Sequence, residues 1–191
     1  MMKKSTTLTL VECALMIAMA TVLSMFKLFE LPQGGSITAA SMVPLVLVSY
    51  RHGVKWGVGT AFAHSLLQML LRFNAPPANT FWAFVGVVLL DYVLAFTVLG
   101  TASFFGKPFK SRTASVAVGS VAVCVLRFLC SFASGILIWG AYAPEGTPVW
   151  LYSLTYNGSY MLVETAITAV MSVALIQVLD RVGHRNLGKT Q

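Results

Sequence analysis

Long apolar runs separated by short clusters of charge constrain this chain more than any other feature. The first run spans Leu8–Phe29. Others occupy Ser41–Tyr50, Trp56–Leu71, Phe81–Phe105, Ala114–Tyr142 and Trp150–Leu179. At about 1.5 Å of rise per residue, about 20 apolar residues carry a helix across a hydrocarbon core of roughly 30 Å. Ser41–Tyr50 is short for a full crossing and carries Pro44, so it must start in the preceding loop or remain incomplete. The chain has 191 residues, so these runs leave no room for a soluble domain of about 100 residues. Only 10% of the residues are charged, against about 25% in soluble domains. Disordered chains, disulfide scaffolds and ordinary soluble domains are thereby excluded. The predicted fold is a single integral membrane domain, residues 1–191, all-α, with six transmembrane helices.

The placement of charge predicts orientation. Lys3 and Lys4, the Arg51–Lys55 turn, the Lys107–Arg112 turn and the tail with Arg181, Arg185 and Lys189 are basic and alternate along the chain. The intervening loops, 30–40, 72–80 and 142–149, carry Arg72 as their one positive charge. The positive-inside rule then puts both termini in the cytoplasm of a multi-pass cell-membrane protein, which requires an even number of spans. The net charge of +7 therefore reports topology, and nucleic acid is not expected as a partner. The first run is too long for a signal-peptide core and has no clear cleavage site.

Cys13, Cys124 and Cys130 lie in apolar segments, as small core residues do. The histidines, His52, His64 and His184, show no paired spacing, so neither a metal nor a cofactor is expected. No phosphate-binding loop or catalytic triad is legible, and the chain is not expected to be an enzyme.

Ionisable groups at bilayer depth are costly and point to function. Four occur: Glu12, Asp91, Arg127 and Glu164. Glu12 is near enough to a helix end to reach the interface. Asp91 has no basic neighbour in sequence; it either pairs with Arg127 or faces a polar or cationic ligand. Arg127, Ser131 and Gly135 recur every four residues on one helical face, with Trp139 about 80° further round. A glycine beside a tryptophan makes a recess with a flat wall, suited to a planar or cationic ring; close packing and an interfacial tryptophan are the alternative. In the last run, Tyr152 and Asn157 bring a hydroxyl and an amide, and Asn157 shares a face with Glu164. Ala14 and Ala18 form a small-residue pair for close helix approach, within the protein or against a partner.

Together these residues resemble a known family. The stretch from Leu31 to Thr38, Met42–Pro44, the turn Tyr50–Gly53, Leu89–Tyr92, Ser134 to Trp139, and Tyr152 to Gly158 are similar to the thiamine-specific S component of energy-coupling factor (ECF) transporters. The resemblance covers about residues 8–182. It implies a six-helix protein that binds thiamine from outside and passes it inward by toppling. The implied partners are a transmembrane coupling subunit and two cytoplasmic ATPases. It implies Asp91, Tyr92, Gly135, Trp139, Tyr152 and Asn157 as binding positions, and Ala14 and Ala18 as the partner-docking motif. Asp91 stands where family members can carry Glu, and Ser131 where a His is expected. A pyrimidine or thiazole precursor of thiamine is the alternative ligand, and a stand-alone secondary transporter the alternative mechanism.

Overall fold

The computed structural model describes residues 6–187; Lys3, Lys4 and Lys189 lie outside them. Within that range the helices are α1 (Thr6–Met25), α2 (Val43–His52), α3 (Val54–Leu71), α4 (Phe81–Gly106), α5 (Arg112–Leu137) and α6 (Val149–Leu187). Four of these, α1, α4, α5 and α6, are long and apolar enough to cross a membrane. Helix α2, with ten residues, rises about 15 Å and cannot cross alone. It starts with Pro44 in its first turn, and its residues Val43–Ser49 are all buried. Gly53, in the left-handed region at φ 84°, joins it directly to α3.

The molecule is inverted in polarity relative to a water-soluble fold. Leu10, Leu15, Met19, Leu70, Trp82, Leu129, Leu162 and Val170 are exposed, whereas Ser65, Gln68, Ser120, Ser134, Ser153, Asn157, Glu164, Thr168 and Ser172 are buried. Apolar side chains outside suit a lipid surround, and polar ones inside lie where helices pack on one another. A central apolar cluster joins α1, α2, α3, α4 and α5 through Ala20, Leu45, Ala61, Leu99 and Val123.

A glycine contact, helix caps and one ion pair hold the bundle. Gly57 of α3 lies against Gly100 of α4 so tightly that a Cβ on Gly57 would fall 2.3 Å from the Gly100 carbonyl oxygen. Ser111 and Thr80 cap α5 and α4, their hydroxyls accepting from the amides of Ala114 and Ala83. At the Arg51–His52 turn, Glu12 of α1 meets Arg51 at 3.2 Å and His52 at 2.6 Å. Glu12 thus reaches charged partners at the helix end.

The fold departs from an all-α expectation in one place. The first apolar run leaves the helix at Met25, and Lys27–Glu30 (β1) pairs antiparallel with Ser36–Thr38 (β2). Gln33 and Gly34 both have positive φ and turn the chain between the strands. The strand residues continue the apolar pattern of α1, which hides the break in the sequence. Helix α5 likewise ends at Leu137 rather than at Tyr142. Ile138 leaves helical geometry, and Trp139–Tyr142 forms a separate 3-10 turn.

Candidate functional site

A cavity of about 410 Å³ opens among α3–α6 beneath the β1–β2 hairpin. Its size suits a small organic molecule. Asp91, Tyr92, Ser131, Gly135, Trp139, Tyr152 and Asn157 all line it, so the seven residues singled out in the sequence come together in one place.

The α4 wall is locally widened. Val88–Val93 forms a π-helical turn, a distortion that recurs at functional positions in helices. The turn carries Asp91 and Tyr92. Asp91 Oδ2 accepts from Ser134 Oγ at 2.8 Å and from Trp139 Nε1 at 2.9 Å. The possible pair with Arg127 does not form: the guanidinium carbon lies over the Phe96 ring, 4.1 Å from its centroid. Tyr92 is buried and pins the loop after α3. Its hydroxyl donates to the Arg72 carbonyl at 2.5 Å and accepts from the Asn74 amide at 2.9 Å.

The α5 wall depends on a contact that only glycine permits. A Cβ on Gly135 would lie 2.1 Å from Ser153 Oγ, so this residue sets the approach of α6. Beyond it, the change to a 3-10 turn swings Trp139 away from the position a continuous helix would give. The indole reaches Asp91 while stacking on Tyr142, 6.1 Å between centroids.

On α6, Tyr152, Tyr156 and Tyr160 form a ladder, with centroids 5.8 and 6.1 Å apart. Asn157 is tied to its neighbours within the protein. Its Nδ2 donates to the Ser153 carbonyl at 3.0 Å and to the Ser131 carbonyl at 3.3 Å, and its Oδ1 accepts from Tyr160 at 2.9 Å. Ser131 therefore contributes a backbone carbonyl to this network. Tyr156 holds the hairpin: its hydroxyl accepts from the Gly35 amide at 3.0 Å and donates to the Pro32 carbonyl.

Several cavity residues escape a reading of the sequence. Lys27 and Glu30 form an ion pair at the rim, and that hydrogen bond holds the Glu30 carboxyl below the usual carboxylate range. Gln68 projects from an apolar helix and donates to Ser24 Oγ at 2.7 Å. Its signal was a lone amide one turn beyond His64. Deeper in, Thr38 donates both its amide and its hydroxyl to Glu164 Oε1. Among the described residues no cluster of three or more His, Cys, Asp or Glu side chains is placed to hold a metal.

Ala14 and Ala18 are exposed on α1, away from the cavity.

Comparison with known proteins is consistent along almost the whole chain. A family model described as thiamine transporter protein (Thia_YuaJ) matches residues 10–183. The thiamine transporter ThiT of Bacillus subtilis is 34% identical over 183 residues, covering 90% of this chain and 92% of that protein. The protein of the same name from Lacticaseibacillus paracasei is 28% identical over 158 residues, covering 78% and 77%. A solved structure of ThiT from Listeria monocytogenes superposes with a TM-score of 0.74 at 23% identity, covering 91% of this chain and 96% of that one. This last likeness bears on the fold.

Proposed function

The chain belongs to the thiamine transporter protein family, and from that premise we propose that it is the high-affinity thiamine-binding subunit of an ECF-type ATP-driven importer. It is a membrane protein whose role is transport rather than catalysis. The observation that carries the finer reading is the convergence of Asp91, Trp139 and the tyrosine ladder on one cavity. Thiamine joins a flat aminopyrimidine to a cationic thiazolium. The carboxylate of Asp91 supplies the countercharge, and Trp139 and Tyr152 supply aromatic faces. Tyr92, Gly135, Ser131 and Asn157 fix the positions of these groups and complete the wall.

In this reading α2, completed by the hairpin segment that precedes it, and α3 cross the bilayer with the four long helices, giving six spans with both termini cytoplasmic. The basic turns at 51–55 and 107–112 then face the cytoplasm. The hairpin and the cavity mouth face outward. No nucleotide-binding motif occurs in the sequence, so ATP hydrolysis belongs to two partner ATPases, reached through a transmembrane coupling subunit. Ala14 and Ala18 offer that subunit a face where backbones approach closely.

Titration of the purified protein with thiamine, read by tryptophan fluorescence, tests the ligand. Saturable quenching at low ligand concentration is expected; no saturable change would overturn the reading. Uptake that persisted without the ATPases and collapsed with a protonophore would instead mark a secondary transporter.

A further inference from the structure

The outer face of the hairpin is apolar and uncovered. Phe26 is 63% exposed, Leu28 67% and Phe29 57%. On α1, a helix long and apolar enough to cross a membrane, Leu15, Met19 and Val22 are exposed as well. Leu15, Met19, Val22 and Phe26 recur every three or four residues, so Phe26 prolongs the lipid-facing stripe of α1. The helix ends at Met25, but the apolar exposure runs on into Leu28 and Phe29.

The inner side of the hairpin is occupied. Tyr156 Oη accepts from the Gly35 amide at 3.0 Å, and Glu164 Oε1 accepts from Thr38 Oγ1 at 2.8 Å. Tyr156 and Glu164 lie about 12 Å apart along α6, and Gly35 and Thr38 about 10 Å apart along the strand. Strand β2 therefore runs alongside α6, and β1 is the outer strand. The charges of β1 do not oppose an apolar surround: Lys27 and Glu30 pair with each other and line the cavity. Depth follows from α1. Its 20 residues rise about 30 Å, one hydrocarbon thickness, so Phe26 begins where that helix meets the interface. Trp82 at the start of α4 and Trp150 at the start of α6 are exposed at the same end of the bundle, as tryptophans of an interfacial belt are.

We propose that Phe26, Leu28 and Phe29 dock the hairpin into the bilayer, with their side chains among the acyl chains just beneath the headgroups. The partner is phospholipid hydrocarbon, met in the leaflet at the cavity's end of the bundle. Apolar side chains at such a boundary enter roughly 5–10 Å. The main-chain groups on the free edge of β1 stay within reach of water at that level, which keeps the docking interfacial. These three side chains offer no hydrogen-bonding group, whereas a protein partner would be met with a polar rim. The cover of the cavity is thus held from two sides, by α6 and by lipid. This holds whichever ligand the cavity takes.

Nitroxide labels on Leu28→Cys and Phe29→Cys test this in phospholipid nanodiscs, each in a background with Cys13, Cys124 and Cys130 changed to alanine. Power-saturation EPR compares collisions with oxygen, which partitions into hydrocarbon, and with a nickel chelate, which stays in water. Both labels should favour oxygen over the chelate. A label on Val170→Cys, exposed midway along α6, should do so more strongly, and one on Glu145→Cys, in the exposed loop before α6, should show the opposite preference. Chelate accessibility at both hairpin positions equal to that at position 145 would overturn the proposal. The unaltered protein gives a second reading. Photolysis with a phospholipid carrying a diazirine high on its acyl chain should leave adducts on residues 26–29 as well as on α1. Adducts that stop at Met25 would overturn the proposal. So would protection of the hairpin labels that arises only with two copies of the protein in one disc, which would assign the face to a second copy.

Discussion

The indole Nε1 of Trp139 donates to Asp91 Oδ2 over 2.9 Å. This bond joins the π-turn of α4 to the 3-10 turn after α5, so the negative charge and the flat wall of the cavity are held as one unit. Ser134, bonded to the same oxygen, ties both to the body of α5.

Replacing the charge while keeping the shape separates its two roles. Asp91→Asn retains an oxygen that can accept from Trp139 and Ser134, so the fold should persist. The cationic ring loses its countercharge. Thiamine affinity measured by calorimetry is expected to fall at least tenfold, equivalent to about 1.4 kcal/mol, and Asp91→Ala should lose at least as much. Unchanged affinity in both would remove Asp91 from the site.

Trp139 is expected to divide the same way. Trp139→Ala should cost at least about tenfold in thiamine affinity and should abolish much of the ligand-dependent quenching. Trp139→Phe keeps an aromatic face but drops the bond to Asp91, so it should fall between the two. If phenylalanine and alanine bind equally poorly, the hydrogen bond matters and stacking does not.

The helix contact at Gly135 gives a prediction for stability. Its substitution by alanine puts a methyl 2.1 Å from Ser153 Oγ and 2.9 Å from Ser153 Cβ. Overpacking of this kind costs roughly 1–3 kcal/mol. The unfolding midpoint of Gly135→Ala in detergent should drop, and Gly135→Ala combined with Ser153→Gly should recover most of the loss. A double variant no more stable than the single one would place the strain elsewhere.

These contacts show what the sequence can and cannot carry. Asp91 stands out in sequence because charge is rare at bilayer depth, and that signal needs no tertiary information. The incomplete second helix is equally legible, from its length and Pro44. The hairpin is not, because Leu28 and Phe29 continue the apolar run that feeds it. The π-turn that aims Asp91 leaves no trace in composition, and the break at Ile138 is visible only once Trp139 is seen to meet Asp91. Asn157 presents itself in sequence as a ligand contact. Its bonds to Ser131, Ser153 and Tyr160 depend on the packing of α5 against α6.

The exposed pair on α1 should matter only when partners are present. Ala14→Trp and Ala18→Trp alter exposed positions that do not line the cavity, so thiamine affinity of the isolated protein should stay within about twofold. ATP-dependent uptake in cells carrying the coupling subunit and ATPases should fall sharply, because close approach needs small side chains. Full uptake by both variants would mean that the coupling subunit docks on another face.

Tyr156 leads to a prediction about rates. Its hydroxyl accepts from the Gly35 amide and donates to the Pro32 carbonyl, so one atom anchors the turn that covers the cavity. Tyr156→Phe preserves the ring and its packing against Tyr152 and Tyr160 while removing both bonds. Each is worth about 1 kcal/mol net, and a tenfold change in a rate corresponds to about 1.4 kcal/mol. Because the loosened turn no longer holds the cavity closed over bound thiamine, dissociation followed by stopped-flow fluorescence should accelerate about tenfold. Association should change little, since a docking ligand does not depend on the anchor already being made. An unchanged dissociation rate would show that the hairpin is held over the ligand by other contacts, with the Lys27–Glu30 pair at the rim as the next to remove.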